Sequence, residues 1–163
     1  MKNQDMRDQL AQLGNGAHAL ALQMLGNTDD ATDAVQDAFV KALKKPGAYD
    51  ADAGPLTPWF LRVVRNHCID LIRRRRPAEA SAEELSDPGP GPEATLEGAQ
   101  RDRLLKHALA ALPVEQRQII VLRDYMDLSY AEIADVLEIA GGTVMSRLHR
   151  ARMALKEELT RHG

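Results

Sequence analysis

One cysteine, Cys68, stands among 163 residues, so no internal disulfide can form and a reducing, cytosolic setting is expected. Aromatic residues are scarce at 4%, with one Trp and two Phe, which disfavours a β-sandwich and favours small helical units with Leu, Ala and Val cores. No run approaches the roughly 20 apolar residues that span a bilayer, and no apolar stretch follows Met1 to Asp5. Neither membrane insertion nor a secretory signal is therefore expected. The five histidines (His18, His67, His107, His149, His162) are scattered, with no second ligand at metal spacing. A lysine-bearing phosphate loop, a nucleophile elbow and a zinc-protease pair are all missing. These absences argue against an enzyme and against a bound metal or cofactor. Asp29 and Asp30 suit the positive end of a helix dipole better than an acid–base pair, and His67 and Cys68 are expected to pack in a core.

What is present is globular in composition, 44% hydrophobic and 28% charged. The net charge of −3 argues against a bulk nucleic-acid coat protein, but the charges are unevenly placed. Residues 77–97 hold four of the eight prolines and six acidic residues without one basic residue. Such a stretch has little to bury and repels itself, so it reads as a flexible tether. The expected fold class is all-α: two small helical domains, residues 1–76 and 99–163, joined by a flexible acidic linker at 77–98.

In the first domain Ala17 to Leu25 reads as a short helix closed by Gly26-Asn27. Thr28 is then expected to cap a second helix, in which Ala31, Val35, Ala38, Phe39 and Ala42 recur at helical spacing. Its opposite face offers Asp33, Gln36, Asp37 and Lys41 to solvent or a partner. After a loop from Gly47 to Leu56, Thr57-Pro58 reads as a cap with proline in the first turn. The helix behind it has an apolar face of Phe60, Val63, Val64, His67, Cys68, Leu71 and Ile72. Arg62, Arg65, Asn66 and Arg73 lie on the other face, and the helix ends in the run Arg73 to Arg76. A strip of that length suits a phosphate backbone, although cations at a helix C-terminus also have a purely local benefit. Trp59 is assigned to the core before base stacking.

The second domain reads as helices at Arg101 to Leu112 and Glu115 to Met126, followed by a capping box, Ser129-Tyr130-Ala131-Glu132. That box starts a short helix to about Leu137. A turn at Gly141-Gly142 leads to a last helix, Thr143 to Leu159, with Val144, Leu148, Ala151, Leu155 and Leu159 as its buried seam. Short capped helix, tight turn and longer basic helix are the parts of a helix-turn-helix. Thr143, Met145, Ser146, Arg147 and Arg150 lie off the seam, spaced to face DNA.

With these residues in view, the chain resembles the extracytoplasmic-function sigma factors of bacterial RNA polymerase from about Ala17 to Leu159. Residues 30–39 (DATDAVQDAF) are similar to the family's polymerase-docking helix, and residues 58–73 (PWFLRVVRNHCIDLIR) to its helix that melts and reads the −10 element. Residues 111–117 (ALPVEQR) and 142–152 (GTVMSRLHRAR) are similar to its −35-reading domain. The resemblance implies core polymerase contact from Asp33, Gln36, Asp37 and Lys41. It implies −10 contacts from the loop at 50–57 and from Arg62, Arg65, Asn66 and Arg73, and −35 contacts from Thr143, Met145, Ser146, Arg147, His149 and Arg150. It also implies a linker in the polymerase's RNA exit path and an anti-sigma factor as a partner. Met145 stands where a basic residue is usual, Ala140 where proline is common and Thr32 where an acid is common. The rival readings are a sigma-like decoy that binds an anti-sigma factor and a free-standing helix-turn-helix regulator.

Overall fold

A computed structural model describes residues 3–44, 49–75 and 96–162, and these contain eight α-helices and no strand. Most of the expected linker, and with it Arg76, Pro46 and Gly47, lies outside the described residues. The chain opens with α1 (Asn3–Gln12), which the sequence reading passed over. Met6 and Leu10, one helical turn apart, are its buried residues. α2 (Gly14–Leu25) ends on Gly26, whose positive φ lets its N–H return to the Leu22 carbonyl at 2.9 Å.

α3 (Thr28–Lys44) is capped one residue earlier than expected: Asn27 Oδ1 accepts the Asp30 N–H at 3.0 Å, and Thr28 is already helical. Ala31, Ala34, Val35, Ala38 and Ala42 form its inner face. The small alanines let α2 and α4 approach closely, and Phe39 completes the seam by meeting Phe60 edge-on at 5.2 Å. α4 (Leu56–Arg74) starts before Thr57 and behind Pro55, without a side-chain cap. A short 3₁₀ turn (Ala51–Ala53) precedes it. The loop there is shaped by Tyr49, whose hydroxyl donates to the Gly54 carbonyl at 2.8 Å and whose ring lies 5.1 Å from that of Trp59.

α5 (Leu96–Ala110) begins inside the stretch assigned to the linker. α6 (Val114–Ile120) passes into one turn of π-helix (Val121–Tyr125), marked by the Met126 N–H bonding to the Val121 carbonyl. The single helix expected from Glu115 to Met126 is thus two segments. α7 (Tyr130–Leu137) carries the complete capping box, with Ser129 Oγ and Glu132 Oε1 each taking one backbone N–H. The turn after it is made by Glu138, at φ 56, in a left-handed position that glycine usually fills. Gly141 and Gly142 instead open α8 (Gly141–His162).

The two halves share one core. Leu20, Phe60, Leu61 and Val64 belong to the same buried cluster as Ile119, Leu122, Ile133 and Val136. α4 packs on α7, and α2 packs on α6 and the π-turn. Gly16 lets α2 lie close against the Met126 side chain, with which a Cβ there would collide. This continuity explains why α4 buries Leu61 as well as Phe60 and Val64, a second apolar face that a lone amphipathic helix would not need.

Candidate functional site

The α3 strip lies open. Asp33, Gln36, Asp37 and Lys41 are all exposed, set on the side opposite the alanine seam by the 3.6-residue period. Val40, 48% exposed, puts an apolar group among them. His67 ties this strip to α4. The Lys41 ammonium meets its Nδ1 at 2.8 Å, and Nε2 faces Asp37 Oδ2 at 3.4 Å. The ring, expected in the core, is instead a polar bracket between two helices. Its neighbour Cys68 does lie in the core, where burial pushes the thiol up to about 12 and makes it a poor nucleophile. Thr32 is engaged by His18, whose Nε2 lies 3.2 Å from its hydroxyl oxygen.

The expected −10 residues divide. Asn66 and Arg73 are exposed. Arg62 and Arg65 are turned into the contact with the C-terminal half. Arg62 pairs with Asp135 of α7, and Arg65 Nε donates to Gln118 Oε1 of α6 at 2.8 Å. Gln118 is only 3% exposed. Burial lowers the Arg65 pKa, the charge of Arg147 acts in the same direction, and Glu138 and Glu115 oppose them. At the end of the basic run Arg75 binds the Leu25 carbonyl at 3.0 Å and Asp30 at 2.9 Å, so it staples α4 to the α2–α3 corner. Arg74 joins Arg73 in solvent.

On α8, Met145, Ser146, His149 and Arg150 are exposed, and Thr143 and Arg147 are partly covered. Val144, Leu148 and Ala151 form the buried seam, whereas Leu155, expected to continue it, is only partly buried and Leu159 is exposed. Arg152 makes a two-pronged pair with Asp124, at 2.5 and 3.2 Å. Arg123 lies over the Tyr130 ring at 5.2 Å and donates to the Leu128 carbonyl at 2.8 Å. These contacts lock the π-turn to the helix-turn-helix.

Arg117, the last residue of the 111–117 match, carries a structural contact that its place in that match does not indicate. Arg117 donates to the Gln23 carbonyl at 2.8 and 3.2 Å and to the Leu112 carbonyl at 2.5 Å, with its pKa lowered by burial. It clamps α6 onto the end of α2. The only sequence signal for that clamp was a charge beside an apolar run. Among the described residues no group of three or more His, Cys, Asp or Glu is placed to hold a metal ion. No helix there is long and apolar enough to cross a membrane.

Comparison with known proteins places this geometry. The sigma-70 region 2 family matches residues 10–78, and the sigma-70 region 4 family matches residues 102–155. SigW of Bacillus subtilis, an extracytoplasmic-function sigma factor, is 31% identical over 87% of this chain and 82% of its own length. The chain belongs to the extracytoplasmic-function sigma factors. A further relative, the sigma factor SigE of Mycolicibacterium smegmatis, is 32% identical over 90% of this chain and 58% of its own length. The solved structure of sigma factor RpoE from Bartonella quintana, in complex with the anti-sigma factor NepR, superposes with a TM-score of 0.80. It is 29% identical and covers 96% of this chain and 97% of that one. Sigma factors are transcription initiation factors, not enzymes: they bind core RNA polymerase and carry it to promoter DNA. The resemblance drawn from residues 30–39, 58–73, 111–117 and 142–152 is thereby borne out at the level of the family.

Proposed function

We propose that this sigma factor docks on core RNA polymerase through the open strip of α3, with Asp33, Gln36, Asp37 and Lys41 as its polar contacts. α4 reads the −10 element with Arg62, Arg65, Asn66 and Arg73. The start of α8 enters the −35 major groove with Thr143, Met145, Ser146, Arg147, His149 and Arg150, as a recognition helix does. The observation that supports the docking surface is the joint exposure of all four α3 residues on one face of a helix whose other face is wholly core. Residues 1–76 and 99–163 then act as two DNA-reading units linked by 77–98, and the work is done in the cytoplasm.

Each DNA contact is weak alone, and holding both on one enzyme raises the effective concentration of the second. The RpoE comparison supports an anti-sigma factor as a further partner of this chain. A free-standing helix-turn-helix regulator leaves the region 2 match without a use, and a decoy has no need of the arginines on α4 and α8.

Reversing two charges tests the docking surface. Asp33→Lys with Asp37→Lys is expected to weaken binding to purified core polymerase by about tenfold or more, since like charges placed across an interface cost several kcal/mol. Undiminished co-elution of the folded double variant with the polymerase would refute the assignment.

A further inference from the structure

The α3 strip carries two opposite charges one helical turn apart, Asp37 and Lys41. With the acid on the N-terminal side, a pair at i and i+4 normally closes on itself, and each charge then offers less to a partner. Here both side chains turn to a third group. The Lys41 ammonium goes to Nδ1 of His67 at 2.8 Å, and Asp37 Oδ2 lies 3.4 Å from Nε2 of the same ring. The two nitrogens point away from different edges of the imidazole, so the ring stands between the charges. It reaches them from α4, where its neighbours at helical spacing, Val63, Val64 and Leu71, are apolar and packed against the core.

The partners fix which nitrogen holds the proton. An ammonium can only donate, so Nδ1 is the acceptor and the ring proton sits on Nε2, facing the Asp37 carboxylate. The His67 side chain is only 11% exposed, whereas that of Asp37 is 64% exposed. Among the described residues Nε2 completes no hydrogen bond, because Asp37 stands just beyond good bonding distance. A leucine would fill the same gap without leaving a buried donor short of a partner. The packing of α3 on α4 already has the alanine seam and the Phe39–Phe60 contact. The imidazole is thus explained by what it does to two exposed charges rather than by packing.

We infer that His67 is a positioning residue for polymerase docking: it takes the Lys41 ammonium on one nitrogen, aims an N–H at Asp37 from the other, and so keeps the two charges apart for the polymerase to meet. The inference rests on the reading of the α3 strip as the docking surface. His67, nearly covered, acts through Asp37 and Lys41. Holding a long lysine side chain in one orientation before docking removes part of the ordering cost that binding otherwise carries. Without the ring, Lys41 falls back on Asp37 and the strip presents a pair that has already neutralised itself.

Affinity of the full chain for purified core polymerase, measured without DNA, tests this together with NMR of the ring nitrogens. His67→Leu is expected to weaken binding about fivefold, the scale of setting one long side chain free. His67→Gln should stay within about twofold of the unaltered chain, since its amide also offers one acceptor and one donor. With Lys41→Met there is no ammonium left to hold, and adding His67→Leu should change affinity by less than about twofold more. The unaltered chain should show His67 with Nδ1 bare and Nε2 protonated, and Lys41→Met should move the Nδ1 signal.

A ring that only braced the fold would behave otherwise: binding would fall in step with stability to urea, and equally over Lys41→Met. Full affinity of the folded His67→Leu variant, equal losses in the Gln and Leu variants, or an undiminished loss over Lys41→Met would overturn the inference, as would a proton on Nδ1 in place of Nε2. The docking assignment fails separately, if Asp33→Lys with Asp37→Lys binds the polymerase undiminished. A silent His67→Leu beside a weakened double reversal is failure of the positioning role alone.

Discussion

The outer faces of α3 and α4 were found in the same way, as the polar side of an amphipathic helix, yet the fold treats them oppositely. Asp33, Gln36, Asp37 and Lys41 all stay exposed, although Asp37 and Lys41 also reach His67, while Arg62 and Arg65 are turned into the C-terminal half of the same chain. A helical period says which residues are off one core face. It cannot say whether the remaining side meets water or a second layer of protein. α4 had a signal for the second case in Leu61, an apolar residue beside the arginines that is fully buried in the core the two halves share. On α3 the comparable residue is Val40, which stays 48% exposed. One apolar residue in a polar face is thus covered in one helix and open in the other.

The contrast can be broken most severely at the residue on which both faces depend. Phe60 is fully buried and in edge contact with Phe39. Phe60→Ala is expected to cost about 3–5 kcal/mol of stability, read from urea unfolding, and to loosen α3 and α4 together. A smaller effect sharpens the contrast. Arg65→Met leaves the buried Gln118 oxygen without its donor and should lower stability by about 1–3 kcal/mol. Asp33→Asn on the open strip should change it by less than about 0.5 kcal/mol. Equal effects of the two in the same denaturation assay would mean that the α4 arginine face is no more engaged than the α3 strip.

The smallest effect asks whether the shared core makes the halves unfold as one. Ser129→Ala removes one side of the capping box and is expected to cost about 1 kcal/mol. With a single core that loss should move the unfolding midpoint of probes in both halves equally. A shift confined to α7 and α8, followed by amide exchange, would show that the halves melt separately.

Much of the site was legible because it depends on local rules. The capping box at Ser129 and Glu132, the α8 seam of Val144, Leu148 and Ala151, and the stop at Gly26 all follow from hydrogen-bond valence and helical period. The misses came where distant contacts decide. α1 went unread because Met6 and Leu10 are too few to make a stripe without the core they enter. His67 looked apolar by position, and only the approach of α3 supplies Lys41 and Asp37 to its ring. The π-turn after Ile120 widens the helix by one residue, and no local residue preference announces it. Glu138 took the turn that Gly141 and Gly142 seemed suited to make, because the αL position sits directly behind Leu137 rather than three residues on.

By itself the amino-acid sequence determined the helical class, the acidic stretch at 77–97, the helix-turn-helix and the family, since each is written in spacing, capping and charge order. The tertiary structure alone decided which cations are free and which are occupied. Arg62 and Arg65 lie 73 and 53 residues from their partners Asp135 and Gln118. A guanidinium cannot find a ligand at that separation until apolar burial has brought the two halves into one core.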